Sequence, residues 1–163
     1  INFMTNYEIQ SKTAFAVLGL GTTLTGDYQA LPAQKQAFWE KVNADGQLTT
    51  LAQRAQNELK FAVNEAINGE MHYYAGVQVA ADTPTSGAAM RLIQFPAGNY
   101  LVIRGSAATA FELFSQLEGA AFGQVLPTLD DYAYVGGPNT AVLTSTADQA
   151  TASGEMWIPL AAK

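Results

Sequence analysis

The spacing of apolar residues divides the chain into short strand-like runs and two helical stripes. Thr13 to Leu20 (TAFAVLGL) is apolar, rich in strand formers and closed by Gly21, which reads as a buried strand. Pro32 stands at a first helical position, and Leu31, Phe38 and Val42 follow at near-helical spacing up to Gly46. A second short helix is expected over Leu48 to Leu59. Phe61 to Ile67 and Glu70 to Ala80 read as strands joined at Asn68-Gly69, a strong hairpin signal. Asp82 to Gly87 reads as a loop, Ala89 to Phe95 as a strand, and Pro96-Ala97-Gly98-Asn99 as a turn into a strand over Tyr100 to Arg104. From Ser106 to Gly119, Ala107, Ala110, Phe111, Phe114 and Leu117 fall on one stripe of an amphipathic helix. Thr109 and Glu112 have the spacing of a capping box at its start. Tyr132 to Val135 and Glu155 to Leu160 are the last expected strands, with Gly136 to Asn139 as a turn and polar Thr144 to Gly154 as a loop.

This order suggests an internal duplication within one domain spanning 1–163, with βαββ units over about 13–95 and 99–160. Phe15-Ala16-Val17-Leu18 echoes Tyr100-Leu101-Val102-Ile103, Tyr73-Tyr74 loosely echoes the run from Tyr132, and the runs ending at Pro96 and Pro159 occupy matching places. The expected fold is therefore α+β: two pseudosymmetric βαββ repeats in one antiparallel sheet, with both main helices on one face. Helices lying side by side on a sheet leave a cleft, a natural place for a ligand.

Composition narrows the function classes. Hydrophobic residues make up 48% of the 163 and charged residues 13%, which excludes a disordered chain or a highly charged nucleic-acid arm. The net charge of −6 argues against direct contact with nucleic acid. With no cysteine, disulfides, thiolate metal sites and a cysteine nucleophile are excluded, and a cytoplasmic location is compatible. No apolar run approaches the roughly 18 residues that span a bilayer, so no membrane partner is expected. His72 is the one histidine and has no metal-site spacing around it. Gly19-Leu20-Gly21 lacks the continuation of a nucleotide-binding loop, and no G-x-S-x-G elbow is present. Neither a cofactor nor a metal is expected.

Glu155 and Trp157 are the sharpest candidates for chemistry. Strand alternation sends both to one face and Met156 and Ile158 to the other. A carboxylate beside a large aromatic ring suits a lipophilic cation, through charge and cation–π attraction. The expectation is that this face looks into the groove between the helices. Tyr73, Tyr132, Trp39 and Phe111 complete the candidate ligand-binding set, because Tyr and Trp carry polar tips that need partners when buried. On the strand from Glu70, Tyr73, Ala75, Val77 and Val79 share an apolar face.

Four segments in order carry a family resemblance: Met71-His72-Tyr73-Tyr74-Ala75-Gly76-Val77, Phe95-Pro96-Ala97-Gly98-Asn99-Tyr100, Val125-Leu126-Pro127 and Glu155-Met156-Trp157-Ile158-Pro159. Together they resemble the GyrI-like superfamily, which includes the multidrug-binding, effector-binding domains of bacterial AraC-type and MerR-type transcription regulators and their stand-alone relatives. The resemblance implies two βαββ repeats with a ligand cleft, and it likens Glu155 to the final-strand glutamate of the family's drug pocket. Where relatives often carry a second carboxylate this chain has Tyr132, with Asp130 and Asp131 nearby, which weakens the case for strong cation selectivity. The chain opens at its first strand, so the expectation is a small-molecule-binding module without its own DNA-binding unit, taking an amphipathic drug or effector, cationic ones among them. Two alternatives stay open. One is a hydrolase of small electrophiles with Glu155 as base or nucleophile, its pKa raised by burial. The other is a protein inhibitor of the gyrase-inhibitor type, docking on a protein partner; a homodimer is a further option.

Overall fold

A computed structural model describes residues 7–85, 90–146 and 150–163. Parts of the expected loop at Ser86 and Gly87, the expected strand start at Ala89, and residues 147–149 of the last loop lie outside the described residues. The described elements are strands β1 (Tyr7–Lys12), β2 (Phe15–Leu24), β3 (Lys60–Ile67), β4 (Glu70–Val79), β5 (Met90–Phe95), β6 (Gly98–Ala107), β7 (Tyr132–Tyr134), β8 (Asn139–Leu143) and β9 (Ala152–Ala162). The helices are α1 (Leu31–Ala44), α2 (Gln47–Ala52) and α3 (Ala110–Ala120), the last continued by a π turn over Ala121–Val125. Thr109 caps α3, its hydroxyl accepting from the Glu112 amide at 3.2 Å. The β3–β4 hairpin turns at Asn68 and Gly69, both with positive φ, as the Asn-Gly pair requires.

The sheet is antiparallel and its strands run β1-β6-β9-β8-β3-β4-β2-β5, with β7 added beside the end of β9. From its centre outward, each half repeats one order: β3-β4-β2-β5 on one side and β8-β9-β6-β1 on the other. The expected α+β duplication is present, built of β2-α1-β3-β4 and β6-α3-β8-β9. Its internal alignment differs from the expected one. The counterpart of β4 is β9, not the run from Tyr132, so Tyr73-Tyr74 does not correspond to Tyr132-Ala133, nor Pro96 to Pro159. The second repeat uses β8, which starts at Asn139, the last residue of the expected turn. Strand β1 adds an edge beside β6 that lies before the first expected strand.

The connections force the sheet to roll up. Only Thr13 and Ala14 separate β1 from β2, and only Pro96 and Ala97 separate β5 from β6. In each case the joined strands stand six places apart in the strand order, roughly 29 Å on a flat sheet at about 4.8 Å per strand. Two linking residues reach only about 11 Å. A flat sheet is impossible, and the contacts show the closure. Phe15 on β2 meets Trp157 on β9 edge-on with centroids 5.5 Å apart, and lies 6.0 Å from Tyr100 on β6. Phe15 also stacks on Phe95 at 4.6 Å, and Phe61 meets Trp157 at 5.7 Å. Val17, Val63, Val102 and Val142 fill the remaining space inside the roll.

The other face carries the helices. Leu18, Leu20, Tyr73, Ala75, Val77, Leu101, Ile103, Met156 and Ile158 project there and pack with Trp39 and Val42 of α1 and Leu113, Phe114 and Leu117 of α3. Helix α1 lies over β2 and β4, and α3 over β6, β8 and β9, so each helix covers its own half. Phe61 is fully buried inside the roll. Phe61→Ala should therefore cost about 3–5 kcal/mol in denaturant unfolding, while Tyr28→Ala at an exposed position should stay within about 0.5 kcal/mol.

Candidate functional site

Because each helix covers its own half, a groove runs between them above the seam where β3 pairs with β8. Its floor is low there because Ala62 and Ala141 are direct partners across that seam and both point at the helices. Asn64, Met71 and Tyr73 extend the floor; Leu31, Pro32 and Lys35 of α1 and Phe111, Phe114, Ser115 and Glu118 of α3 form the walls. The helices meet at Trp39 and Phe114, edge-on with centroids 5.0 Å apart, which closes one end. Tyr28, 88% exposed, stands at the mouth, and the groove encloses about 230 Å³.

The polar groups in the groove form one connected set. The Lys35 ammonium donates to Asn64 Oδ1 at 2.7 Å and to both Glu118 oxygens at 3.2 Å, bridging the two helices. It also lies 5.3 Å from the Tyr73 ring centroid. Asn64 donates in turn to Asn139 Oδ1 at 3.0 Å, and Asn139 donates to the Tyr134 hydroxyl at 3.1 Å. Burial, reinforced by the Glu118 charge, pushes the Tyr73 hydroxyl well above the ordinary range, so it stays neutral.

Of the residues expected at the site, Tyr73 and Phe111 line this groove. Trp39 is buried against Phe114 at the closed end, outside the groove lining. Tyr132 is half-buried on β7, pairing with Ala162 and packing on the helix-side core, outside the groove lining. The expectation for Glu155 and Trp157 is corrected. Met156, Ile158 and Leu160 take the helix side of β9, so alternation sends Glu155 and Trp157 to the inside of the roll. There the carboxylate–aromatic pair already holds cations of the chain itself. Lys12 sits 3.9 Å over the Trp157 ring, Arg104 Nε donates to Glu155 at 3.0 Å, and Trp157 Nε1 donates to it at 2.7 Å. Arg104 also bonds Glu8, so the cluster ties β1, β6 and β9 together. Desolvation lowers the Lys12 pKa, as for an ammonium partly withdrawn from water.

The profile of integron-associated effector-binding proteins, Cass2, matches residues 8–160. The chain belongs to this family. No curated protein sequence matches it. Among solved structures, SAV2435 bound to tetraphenylphosphonium superposes with a TM-score of 0.77 at 14% identity, covering 96% of this chain and 94% of that one. The integron cassette protein VCH_CASS2, from the mobile metagenome of Vibrio cholerae, gives 0.60 at 11% identity, covering 98% and 97%. EcmrR, in its complex with DNA, gives 0.62 at 9% identity, covering 96% of this chain and 57% of that one. At these identities the likeness is one of fold. The family match agrees with the effector-binding character expected from the four ordered segments. Among the described residues, no helix is long and apolar enough to cross a membrane.

This Cass2-family chain also holds a charged cluster that the sequence reading did not single out. Glu65, 7% exposed, accepts from Arg91 Nε and Nη2 at 2.8 and 2.9 Å and from the Tyr74 hydroxyl at 3.1 Å. The Tyr74 ring lies flat on Gly19 and Gly21; a Cβ on Gly21 would stand 2.6 Å from its Cε1. The glycine pair is thus a bed for an aromatic ring. A signal existed in the sequence: two glycines two apart in a strand put a gap on one face.

Burial raises Tyr74 and Tyr100 from the ordinary value of 10.0 to about 12. The folded protein therefore keeps protons that the unfolded chain releases, and the associated stability is complete below pH 10 and lost as pH rises towards about 12. Circular dichroism and tyrosinate absorbance, followed together, should show these tyrosines ionising with unfolding. Tyr74→Phe should cost about 0.5–1.5 kcal/mol near neutrality through the lost hydrogen bond, yet flatten the alkaline decline.

Proposed function

We propose that the chain is a small-molecule-binding module that takes an amphipathic effector or drug into the groove between α1 and α3, so that the molecule is sensed or sequestered. The observation that carries this reading is the cleft over the Ala62–Ala141 seam, with Tyr73, Phe111 and Phe114 presenting apolar surface around one polar pair. A largely apolar concavity with few, convergent polar groups is the general form of a ligand site. Family membership supports it, as does the fold shared with SAV2435, a protein solved with the aromatic cation tetraphenylphosphonium. At about 230 Å³ the groove lies below the roughly 300–1,000 Å³ of drug-sized pockets, which favours a ligand of one or two rings.

The hydrolase alternative rested on Glu155 as a free base. Both oxygens of that carboxylate are engaged, by Arg104 and Trp157, away from the groove. Binding without turnover is therefore what the groove supports. A regulatory role would need another unit to touch DNA, since the net charge of −6 disfavours direct contact.

A neutral bicyclic probe, 2-naphthylmethanol, tests the groove by calorimetric titration. Ser115→Trp, on the exposed wall of α3, should fill the space and weaken binding about tenfold or more without lowering the thermal midpoint. Glu155→Gln should leave binding unchanged. Undiminished binding by Ser115→Trp would place the probe elsewhere.

A further inference from the structure

The groove contains its own cation. Lys35 lies where a ligand cation would be sought: against the carboxylate of Glu118, the amide oxygen of Asn64 and the face of Tyr73. We propose that Lys35 sets the charge specificity of the groove, turning away lipophilic cations and receiving aromatic molecules that carry a carboxylate. The inference rests on the groove being the binding site and adds the class of ligand it takes.

The asymmetry of the ion pair decides the direction. A ligand cation that takes over the inner side of Glu118 displaces Lys35, whose side chain is only 12% exposed. That ammonium would also leave Asn64 Oδ1, its shortest contact. Asn64 holds that oxygen towards Lys35 because its NH₂ is committed to Asn139, which is itself committed to Tyr134. The lysine therefore sits in a pre-oriented cradle in the floor. Glu118 differs. Its side chain is 37% exposed and it pairs with Lys35 from the solvent side of the groove, so it swings into water at small cost. A ligand carboxylate that takes its place keeps the ammonium paired and keeps Asn64 satisfied. Exchange of the anion is thus cheaper than exchange of the cation, because a buried charge stripped of its partner carries the larger penalty. The rings of such a ligand would rest on Phe111, Phe114 and Tyr73, and its carboxylate would face Lys35 in a charge-assisted hydrogen bond.

Three probes of one shape and different charge test the proposal: 2-naphthoate, 2-naphthylmethanol and 2-naphthylmethylammonium, titrated calorimetrically into the intact chain. The expected order of affinity is carboxylate, alcohol, ammonium, with about tenfold or more between the ends, the scale of one charge-assisted hydrogen bond. Lys35→Met should weaken the carboxylate about tenfold and strengthen the ammonium, which then finds Glu118 unpaired. Glu118→Gln should strengthen the carboxylate and leave the ammonium weak, and it keeps the test open should Lys35→Met fold poorly. In each protein the alcohol sets the baseline of the groove, and the expected readout is the affinity of the two charged probes relative to it. Tighter binding of the ammonium than the carboxylate, or a charge order unmoved by Lys35→Met, would overturn the role of Lys35 while the alcohol still reports an intact groove. Failure of the alcohol itself to bind, or its undiminished binding to Ser115→Trp, would overturn the groove reading and this inference with it.

Discussion

Closure of the sheet is the constraint on which the rest of the molecule depends. Two links of two residues each join strands that stand at opposite sides of the sheet, and chain reach leaves no flat solution. Rolling buries one face upon itself, so Phe15, Phe61, Phe95, Tyr100 and Trp157 form a core with no helix near it. That occupies the middle of one side of the sheet. The helices are left with the other side, one to each half, and the space between them is a by-product of the duplication rather than a separate construction.

What keeps that space open is the small size of two side chains. Ala62 and Ala141 face one another across the central pair of strands, where larger residues would rise between the helices. Trp39 and Phe114 seal one end, and the Lys35–Glu118 pair spans the groove from wall to wall. The pseudosymmetry of the backbone is not carried into chemistry. One half supplies the lysine and the tyrosine, the other the glutamate and the phenylalanines, so a ligand would meet two different walls.

The same chemical theme appears on both sides of the sheet, with the chain's own lysines as the cations. Lys12 lies over Trp157 near Glu155, and Lys35 lies near Tyr73 and Glu118. Inside the roll the arrangement fastens an edge strand, because Glu8, Arg104 and Glu155 link β1, β6 and β9. In the groove it borders open space, and there the pairing can be exchanged. A carboxylate beside an aromatic ring is therefore no signature of a ligand by itself; what distinguishes the two cases is whether the resident cation can be reached.

Local pattern and composition determined much of this protein. Periodicity placed α3 and its Thr109 cap, Asn68-Gly69 placed the central hairpin, and alternation grouped Tyr73 with Ala75, Val77 and Val79 on one face, because each depends on residues close in sequence. The order of elements carried the duplication, and four ordered segments carried the resemblance to an effector-binding family. The sequence also determined that Glu155 and Trp157 share a face. Which face that is belonged to the tertiary structure, since alternation has a period of two and no sign, and the sign is set by which side of the sheet the helices occupy. Strand β8 was hidden because its five residues follow Gly-Gly-Pro and owe their conformation to β3 and β9 on either side. Lys35 and Glu118, 83 positions apart, meet only because two helices packed on separate half-sheets are brought side by side when those halves join at β3 and β8.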